Sequence, residues 1–384
     1  MSLNQTPEPA GIYVHFPFCE RKCPYCDFYS ICDPSLHRPF MDALSREIEL
    51  TAAQFKRCDT VYFGGGTPTV MGAETITAVL KKLKLHFDIL PDSEITIEAN
   101  PGTVTRQALE ACRQAGITRI NIGVQSFDDD NLNFLGRIHT AAEARTALRW
   151  SAKSGFDSIG LDLIYGLPGQ TINDWQSDLQ TALTFAPDHL SCYTLTIEPG
   201  TPLERDLQHG LFQVLEDRQV ARMLKTTVAF LADNGYRQYE VSNFARIPAS
   251  RSRHNLKYWT FVPYLGLGPS AHSFEPPVRH WNKADVSAYI RDLERGELPV
   301  EGSETLNRRQ MMIEAVYLGL RLNEGMTIEA FEERFQVSFS KTFGHVTEAL
   351  EKNGLLTVAA NRCALTTDGL ALMDSVVGRM VDCL

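Results

Sequence analysis

Three cysteines, Cys19, Cys23 and Cys26, fall in HFPFCERKCPYCDF at C-x3-C-x2-C spacing, directly after the apolar run GIYVHF that reads as a strand. Three thiolates in one short loop can hold three corners of an iron–sulfur cubane and leave the fourth iron without a protein ligand, a place for a small molecule to bind. Phe16, Pro17, Phe18, Pro24, Tyr25 and Phe28 crowd the loop and would limit solvent access, which is one lever on a cluster's potential. Structural zinc presents two short ligand pairs well separated along a chain, and no second C-x2-C or H-x3-H pair exists here. A disulfide framework belongs to small secreted chains, whereas this chain has 384 residues, an odd nine cysteines, and a polar, proline-containing start, MSLNQTPEPA, that is neither signal nor transit peptide. The remaining alternative is a four-thiolate, electron-transfer cluster completed by Cys32, to which residues 27–31 give no ferredoxin-like spacing. Cys58, Cys112, Cys192, Cys363 and Cys383 are scattered and read as packing residues.

A loop of this kind must be held by something rigid. Strand-like runs recur along the chain with helical patterns between them: GIYVHF, DTVYFGGG, EITIEANP, RINIGVQSF, SIGLDLIYGLPG and HLSCYTLTIEPGTPL. That alternation predicts βαβ units and an α/β fold with a parallel sheet, in whose barrel form reactive groups gather at the carboxyl ends of the strands. The runs end in Gly64-Gly65-Gly66-Thr67, in Glu98-Ala99-Asn100-Pro101, in Gly123-Val124-Gln125-Ser126, and in Asp162 followed by Tyr165-Gly166-Leu167-Pro168. Glycines bring backbone close to a ligand, and Glu98, Gln125 and Asp162 can hydrogen-bond hydroxyl or amino groups. One glycine-rich turn would be only a tight loop; four polar strand ends in series predict a site.

Composition narrows the class. A formal charge of −10 argues against a nucleic-acid partner, which needs clustered Lys and Arg. With 43% hydrophobic residues the chain can bury a large core, yet no run approaches the roughly 18 apolar residues of a membrane span. A cytoplasmic, reduced compartment is expected. The expected division is a core over 1–240, a barrel-edge extension over 241–305 containing His254-Asn255-Leu256-Lys257-Tyr258-Trp259, and a C-terminal domain over 306–384, where helices precede the hairpin LLTVAANRCALT. The mixed charge of the helix around Lys341, His345, Glu348, Glu351 and Lys352 favours a domain that covers the barrel or meets a protein over one that reads DNA.

The cysteine loop after an N-terminal strand, with an aromatic before the last cysteine, resembles the radical S-adenosylmethionine (SAM) superfamily. Tyr13-Val14-His15-Phe16-Pro17-Phe18-Cys19 is similar to the branch that contains oxygen-independent coproporphyrinogen III dehydrogenase and heme chaperones, and the likeness runs through almost the whole chain. The resemblance implies a partial parallel (β/α) barrel with a small winged-helix-like C-terminal domain, a [4Fe–4S] cluster on Cys19, Cys23 and Cys26, and SAM on its open iron. It also implies SAM-binding roles for Tyr13, Gly65, Gly66, Thr67, Glu98, Gln125, Arg137 and Asp162, with Tyr25 near the adenine. Without it, Arg137 in Leu135-Gly136-Arg137-Ile138-His139 would read as a surface arginine.

Two functions fit that machinery: oxidative decarboxylation of porphyrinogen propionates, or carriage of heme to apo-hemoproteins. In the dehydrogenase another cysteine follows the third cluster cysteine two positions on; here that position is Phe28. The stretch His254 to Trp259 resembles a motif of the branch's heme chaperones, so His254 is expected to support heme, as an iron ligand or as a pocket group beside Tyr258 and Trp259. A lone histidine among aromatics is otherwise a hydrogen-bonded core residue. The chaperone is the favoured reading, and the resemblance implies recipients among membrane-associated respiratory hemoproteins, with the chain peripheral to the membrane only through them.

Overall fold

A computed structural model describes residues 8–55 and 57–384, so most of the amino-terminal stretch read above for targeting signals lies outside the described residues. Six parallel strands form in chain order: β1 (Ala10–Phe16), β2 (Arg57–Gly65), β3 (Asp88–Ala99), β4 (Arg119–Gln125), β5 (Ser158–Tyr165) and β6 (His189–Thr194). Helices His37–Thr51, Ala73–His86, Arg106–Ala115, Ala141–Lys153 and Ile172–Leu183 return the chain to the start of the next strand. Several begin at caps legible in the sequence. Thr140 with Glu143, and Thr171 with Asp174, close reciprocal boxes that satisfy the first free N–H groups.

Side chains alternate strictly along the strands, and the two faces differ. Ile12, Val14 and Phe16, Val61 and Phe63, Ile95 and Ile97, Ile120, Ile122 and Val124, Leu161 and Leu163 all enter one apolar core with Phe40, Leu44, Leu80 and Trp175 of the helices. The opposite face pairs Tyr13 with Tyr62, Tyr62 with Thr96, Glu98 with Asn121, Gly123 with Asp162, and Asp162 with Ser191. A flat parallel sheet covered by helices would be apolar on both faces. Here the sheet curls around its second face, which becomes a polar lumen.

The sheet is extended rather than closed. Beyond β6 lie β7 (Arg237–Gln238) and β8 (Asn243–Ala245), with β8 antiparallel to β6; beyond β1 lie β9 (Tyr264–Leu267), parallel to it, and then β10 (His272–Glu275), β11 (Val278–Asn282) and β12 (Val300–Thr305), antiparallel in turn. Buried Glu47, on the first helix, ties this second edge down: it accepts from the Gly268 amide at 2.8 Å, the Tyr289 hydroxyl at 2.6 Å and the Asn282 amide at 2.5 Å. Burial nonetheless pushes its pKa up to about 7.

The smaller C-terminal domain is winged-helix-like. Helices Arg308–Gly319, Ile328–Phe335 and Phe339–Lys352 pack with a three-stranded antiparallel sheet of β13 (Met326–Thr327), β15 (Arg362–Leu365) and β14 (Leu356–Ala359), and a last helix, Met373–Val381, covers them. Its core, with Val316, Phe331, Phe335, Phe343 and Leu350, is separate from that of the barrel. Among the described residues no helix is long and apolar enough to cross a membrane.

Candidate functional site

The three cysteines sit on the connection after β1, at the carboxyl end of the barrel. The loop is tied at its neck: the Cys19 amide donates to the Ile31 carbonyl at 3.0 Å, and the Ile31 amide to that of Pro17 at 2.8 Å. Cys32 falls just past this knot and is exposed. Inside the loop, the Cys26 amide closes a turn onto Cys23 O at 3.1 Å. Arg21 donates to the carbonyls of Gly136 and Arg137 at 2.8 and 2.6 Å, anchoring the loop to the segment after β4. Gly136 is needed there, because it has φ +65° and a Cβ would lie 2.5 Å from Pro24 of the cysteine loop.

Cys19 Sγ lies 3.5 Å from the Thr67 hydroxyl, and Arg137 donates to Cys23 Sγ at 3.5 Å. Among the described residues no three His, Cys, Asp or Glu side chains converge on a single metal ion. A cubane takes one thiolate at each of three irons, so it asks for three spread thiols on one loop, and these fit it. Burial pushes the Cys26 thiol up, so its thiolate form needs a cation beside it, which the iron of a cluster held here would supply.

Next to the loop opens a cavity of about 540 Å³, within the size range of small-molecule sites. Its wall includes Tyr25 and Cys26, Gly65 at the end of β2 with Gly66 and Thr67 after it, Glu98 on β3, Gln125 on β4, Arg137, and Asp162 on β5. Gly66 allows the close approach of backbone to the loop, since a Cβ would stand 2.6 Å from the Phe18 carbonyl. Gln125 holds φ +68°, a strained value for a non-glycine residue, and its Oε1 is buried without a partner. Tyr62 donates to Glu98 at 2.7 Å, yet burial lifts the Glu98 pKa to about 7. Asn121 donates to one oxygen of Asp162 at 2.6 Å; the other is buried and unpaired, and burial raises this carboxyl too. Unpaired acceptors in a buried wall fit a ligand with amino and hydroxyl donors.

Two expected residues lie elsewhere. Tyr13 is not in the cavity wall; its hydroxyl is 3.2 Å from His15 Nδ1 and its ring lies against Tyr62. His254 is 1% exposed on a short helix, Arg253–Trp259, under the amino ends of β2 and β3, where the sequence suggested only a barrel-edge element. Its Nδ1 faces the Thr60 hydroxyl and its Nε2 the Tyr258 hydroxyl, both at 2.8 Å, and burial holds its pKa down at about 3. The ring is therefore neutral, and both nitrogens are engaged. Arg137 is no surface arginine: it also donates to the Tyr25 hydroxyl at 3.4 Å and to Gly123 O at 2.9 Å.

Sequence reasoning named Asn100 only as part of a strand end and passed over Asn121, Tyr193, Thr194, Thr196 and Glu198, which also line the wall. All but Asn121 fall at or just past a strand's carboxyl end, and Asn121 stands two residues before Gly123 on the inward face. His139 also escaped notice. It bridges Asn100 Oδ1 and Val124 O, each at 3.1 Å, and so links the ends of β3 and β4.

A parallel partial barrel with a three-cysteine loop over a polar cavity at its carboxyl end defines a radical SAM protein, and residues 13–182 match the Radical SAM superfamily model. Residues 306–372 match the HemN C-terminal domain. The chain is 35% identical over 378 residues to the heme chaperone HemW of Mycobacterium tuberculosis, covering 96% of this chain and 94% of that one. It is 33% identical over 374 residues to the heme chaperone HemW of Bacillus subtilis, covering 95% and 97%. Among solved structures, coproporphyrinogen III oxidase (HemN) from Escherichia coli superposes with TM-score 0.84 at 25% identity, over 98% of this chain and 91% of that one. The chain belongs to the HemW family of radical SAM proteins.

Proposed function

We propose that the protein is a heme chaperone that carries a [4Fe–4S] cluster and SAM and passes heme to apo-hemoproteins, including membrane-associated respiratory proteins. The observation that carries this reading is the identity, over nearly the full chain, with relatives named heme chaperones. Cys19, Cys23 and Cys26 would hold the cluster. Gly65, Gly66, Thr67, Glu98, Gln125, Arg137 and Asp162 would bind SAM, with Tyr25 beside the adenine and Tyr13 supporting Tyr62 and Glu98 from behind. His254 would serve heme as a positioning group, fixing Tyr258 next to Trp259, rather than as an iron ligand. The cluster, when bound, supplies an open iron site and an electron source. The chain's own part is to pack Phe16 and Phe18 behind the loop, Phe28 standing exposed rather than limiting solvent access as expected, and to orient SAM by the polar strand ends.

The second reading, a coproporphyrinogen dehydrogenase, draws on the likeness to HemN. Phe28 speaks against it: the position of the dehydrogenase's extra cysteine holds an exposed phenylalanine in the cavity wall, 67% accessible. The test is a hemin titration of anaerobically reconstituted protein beside a turnover assay with SAM and coproporphyrinogen III. Heme binding without protoporphyrinogen formation supports the chaperone; protoporphyrinogen formation by the wild type overturns it.

A further inference from the structure

The barrel has a second cavity at its opposite end. It measures about 460 Å³ and lies at the seam where the Arg253–Trp259 helix meets helices Arg308–Gly319 and Ile328–Phe335 of the C-terminal domain. We propose that this seam is where the heme of the preceding reading binds, its macrocycle against Trp259, Phe331 and Phe335 and its two carboxylates on Arg334, Arg251 and Arg362. The proposal rests on that reading, and it moves the cargo to the end of the barrel away from SAM.

Charge separates the two cavities. The wall next to the cysteines carries the carboxylates of Asp27, Glu98, Asp162 and Glu198 against one arginine, Arg137. It suits a sulfonium and an amino group and repels a dianion. The seam carries three guanidinium groups against one carboxylate, Glu324. Arg251 and Arg362 share that carboxylate, at 2.8 and 3.9 Å. The Arg334 guanidinium carbon stands over the Phe261 ring, 4.4 Å from its centre, and burial lowers its pKa with no carboxylate acting on it. Stacking engages the face of a guanidinium and leaves the N–H edge free, the edge that takes a carboxylate in a bidentate fork.

The apolar part is equally specific. Trp259 is held from one side by Arg321, 4.5 Å above its ring, and its indole N–H is buried with no partner. An orphaned buried donor in the wall of an arginine-flanked apolar cavity is a second mark of a ligand site. His254 enters indirectly. Its bond to Tyr258 sets the neighbouring ring, whose centre lies 6.3 Å from that of Trp259.

The experiment uses the full-length, cluster-reconstituted chain and compares hemin with hemin dimethyl ester, which has the same ring without charged carboxylates. Wild type should bind hemin more tightly than the diester. Arg334→Gln, and separately Arg362→Gln, should weaken hemin roughly tenfold or more, as loss of a charge-assisted hydrogen bond does, and leave the diester unchanged. Iron content equal to wild type shows that each variant is folded, and the diester arm reports on the pocket within the same variant. Hemin affinity unchanged in both variants, or equal losses for hemin and diester, overturns the assignment. Failure of the wild type to bind hemin at all instead overturns the chaperone reading beneath it.

Discussion

The two ends of the barrel are built to opposite rules. At the carboxyl end, polar atoms are gathered and left unpaired: Gln125 Oε1, Asp162 Oδ1 and Arg137 Nε are buried without partners beside the cysteine loop. Around the Arg253–Trp259 helix at the amino end the acceptors are used. Glu94 accepts the amides of Arg253 and His254 at 3.2 and 3.1 Å, Asp59 pairs with Arg253 and Lys257 at 2.9 and 2.6 Å, and Arg119 donates to Ser250 O at 2.8 Å. The short helix at Arg253 would be marginal alone. It forms because carboxylates of the strands take its free N–H groups. The lumen is therefore open to a ligand at its carboxyl end and closed by its own hydrogen bonds at its amino end, and the unpaired donor found there, Trp259 Nε1, belongs to the seam with the C-terminal domain; unpaired buried atoms, rather than polarity itself, mark where a ligand is awaited.

The comparison breaks most visibly at the cysteines. Cys19→Ala, Cys23→Ala and Cys26→Ala should each abolish iron and labile sulfide retention after reconstitution, whereas Cys32→Ala, beyond the neck of the loop, should retain both; metal and sulfide counts decide it. Next in size is the amino end. Glu94 is buried with Arg119 at 3.9 Å, so Glu94→Ala strands a buried guanidinium and uncaps the helix. It should lower unfolding free energy by about 3–5 kcal/mol in urea titrations, while a folded sample keeps its iron. Loss of the cluster with no loss of stability would reverse the division of labour between the ends.

The sequence foretold the carboxyl end better than the amino end, for a physical reason. A strand followed by glycine and polar residues is a local signal, and Gly65, Gly66, Glu98, Gln125 and Asp162 could each be read from a few neighbours and then found in one wall. The helix at Arg253 has no such signal beyond its Ser252 cap, since its stabilising partners Glu94 and Asp59 lie some 160 to 200 residues away. The seam cavity was equally hidden. It exists only where Trp259 meets Phe331 and Arg334 of a separately cored domain. Asn121 and Tyr193 escaped because each stands within its strand run, whereas the site was read from the polar residues at the strand ends.

Glu47 and Glu98 sharpen the distinction between a closed polar site and an open one. Burial lifts both carboxyls to about 7, yet Glu47 has three donors and Glu98 faces a cavity. A folded pKa above the unfolded 4.5 means that Glu47 favours folding in its neutral form. Its contribution is complete below pH 4.5 and is lost as pH rises through 7. Wild type should therefore lose on the order of 3 kcal/mol relative to Glu47→Gln over that window, read from urea midpoints at successive pH values. Parallel pH profiles for the two proteins would show that Glu47 does not titrate in this range.

The smallest effect is expected where the comparison began, in the open cavity. Asp162 already holds Asn121 through one oxygen and leaves the other for a ligand, and Glu98 keeps one hydrogen bond to Tyr62. Replacing either by alanine would take away a proposed partner of SAM; it breaks one hydrogen bond but also relieves a buried carboxyl, so the two effects on stability oppose each other and the fold should stay nearly as stable. SAM affinity, measured by calorimetry on cluster-loaded protein, should fall by about 1–3 kcal/mol, roughly one to two powers of ten. Tyr62→Phe serves as the internal control. It removes the hydroxyl behind Glu98 without touching the wall, so it should weaken SAM less than Glu98→Ala does. Unchanged SAM affinity in Glu98→Ala and Asp162→Ala would detach SAM from these strand ends, and the unpaired oxygen of Asp162 would then need another partner.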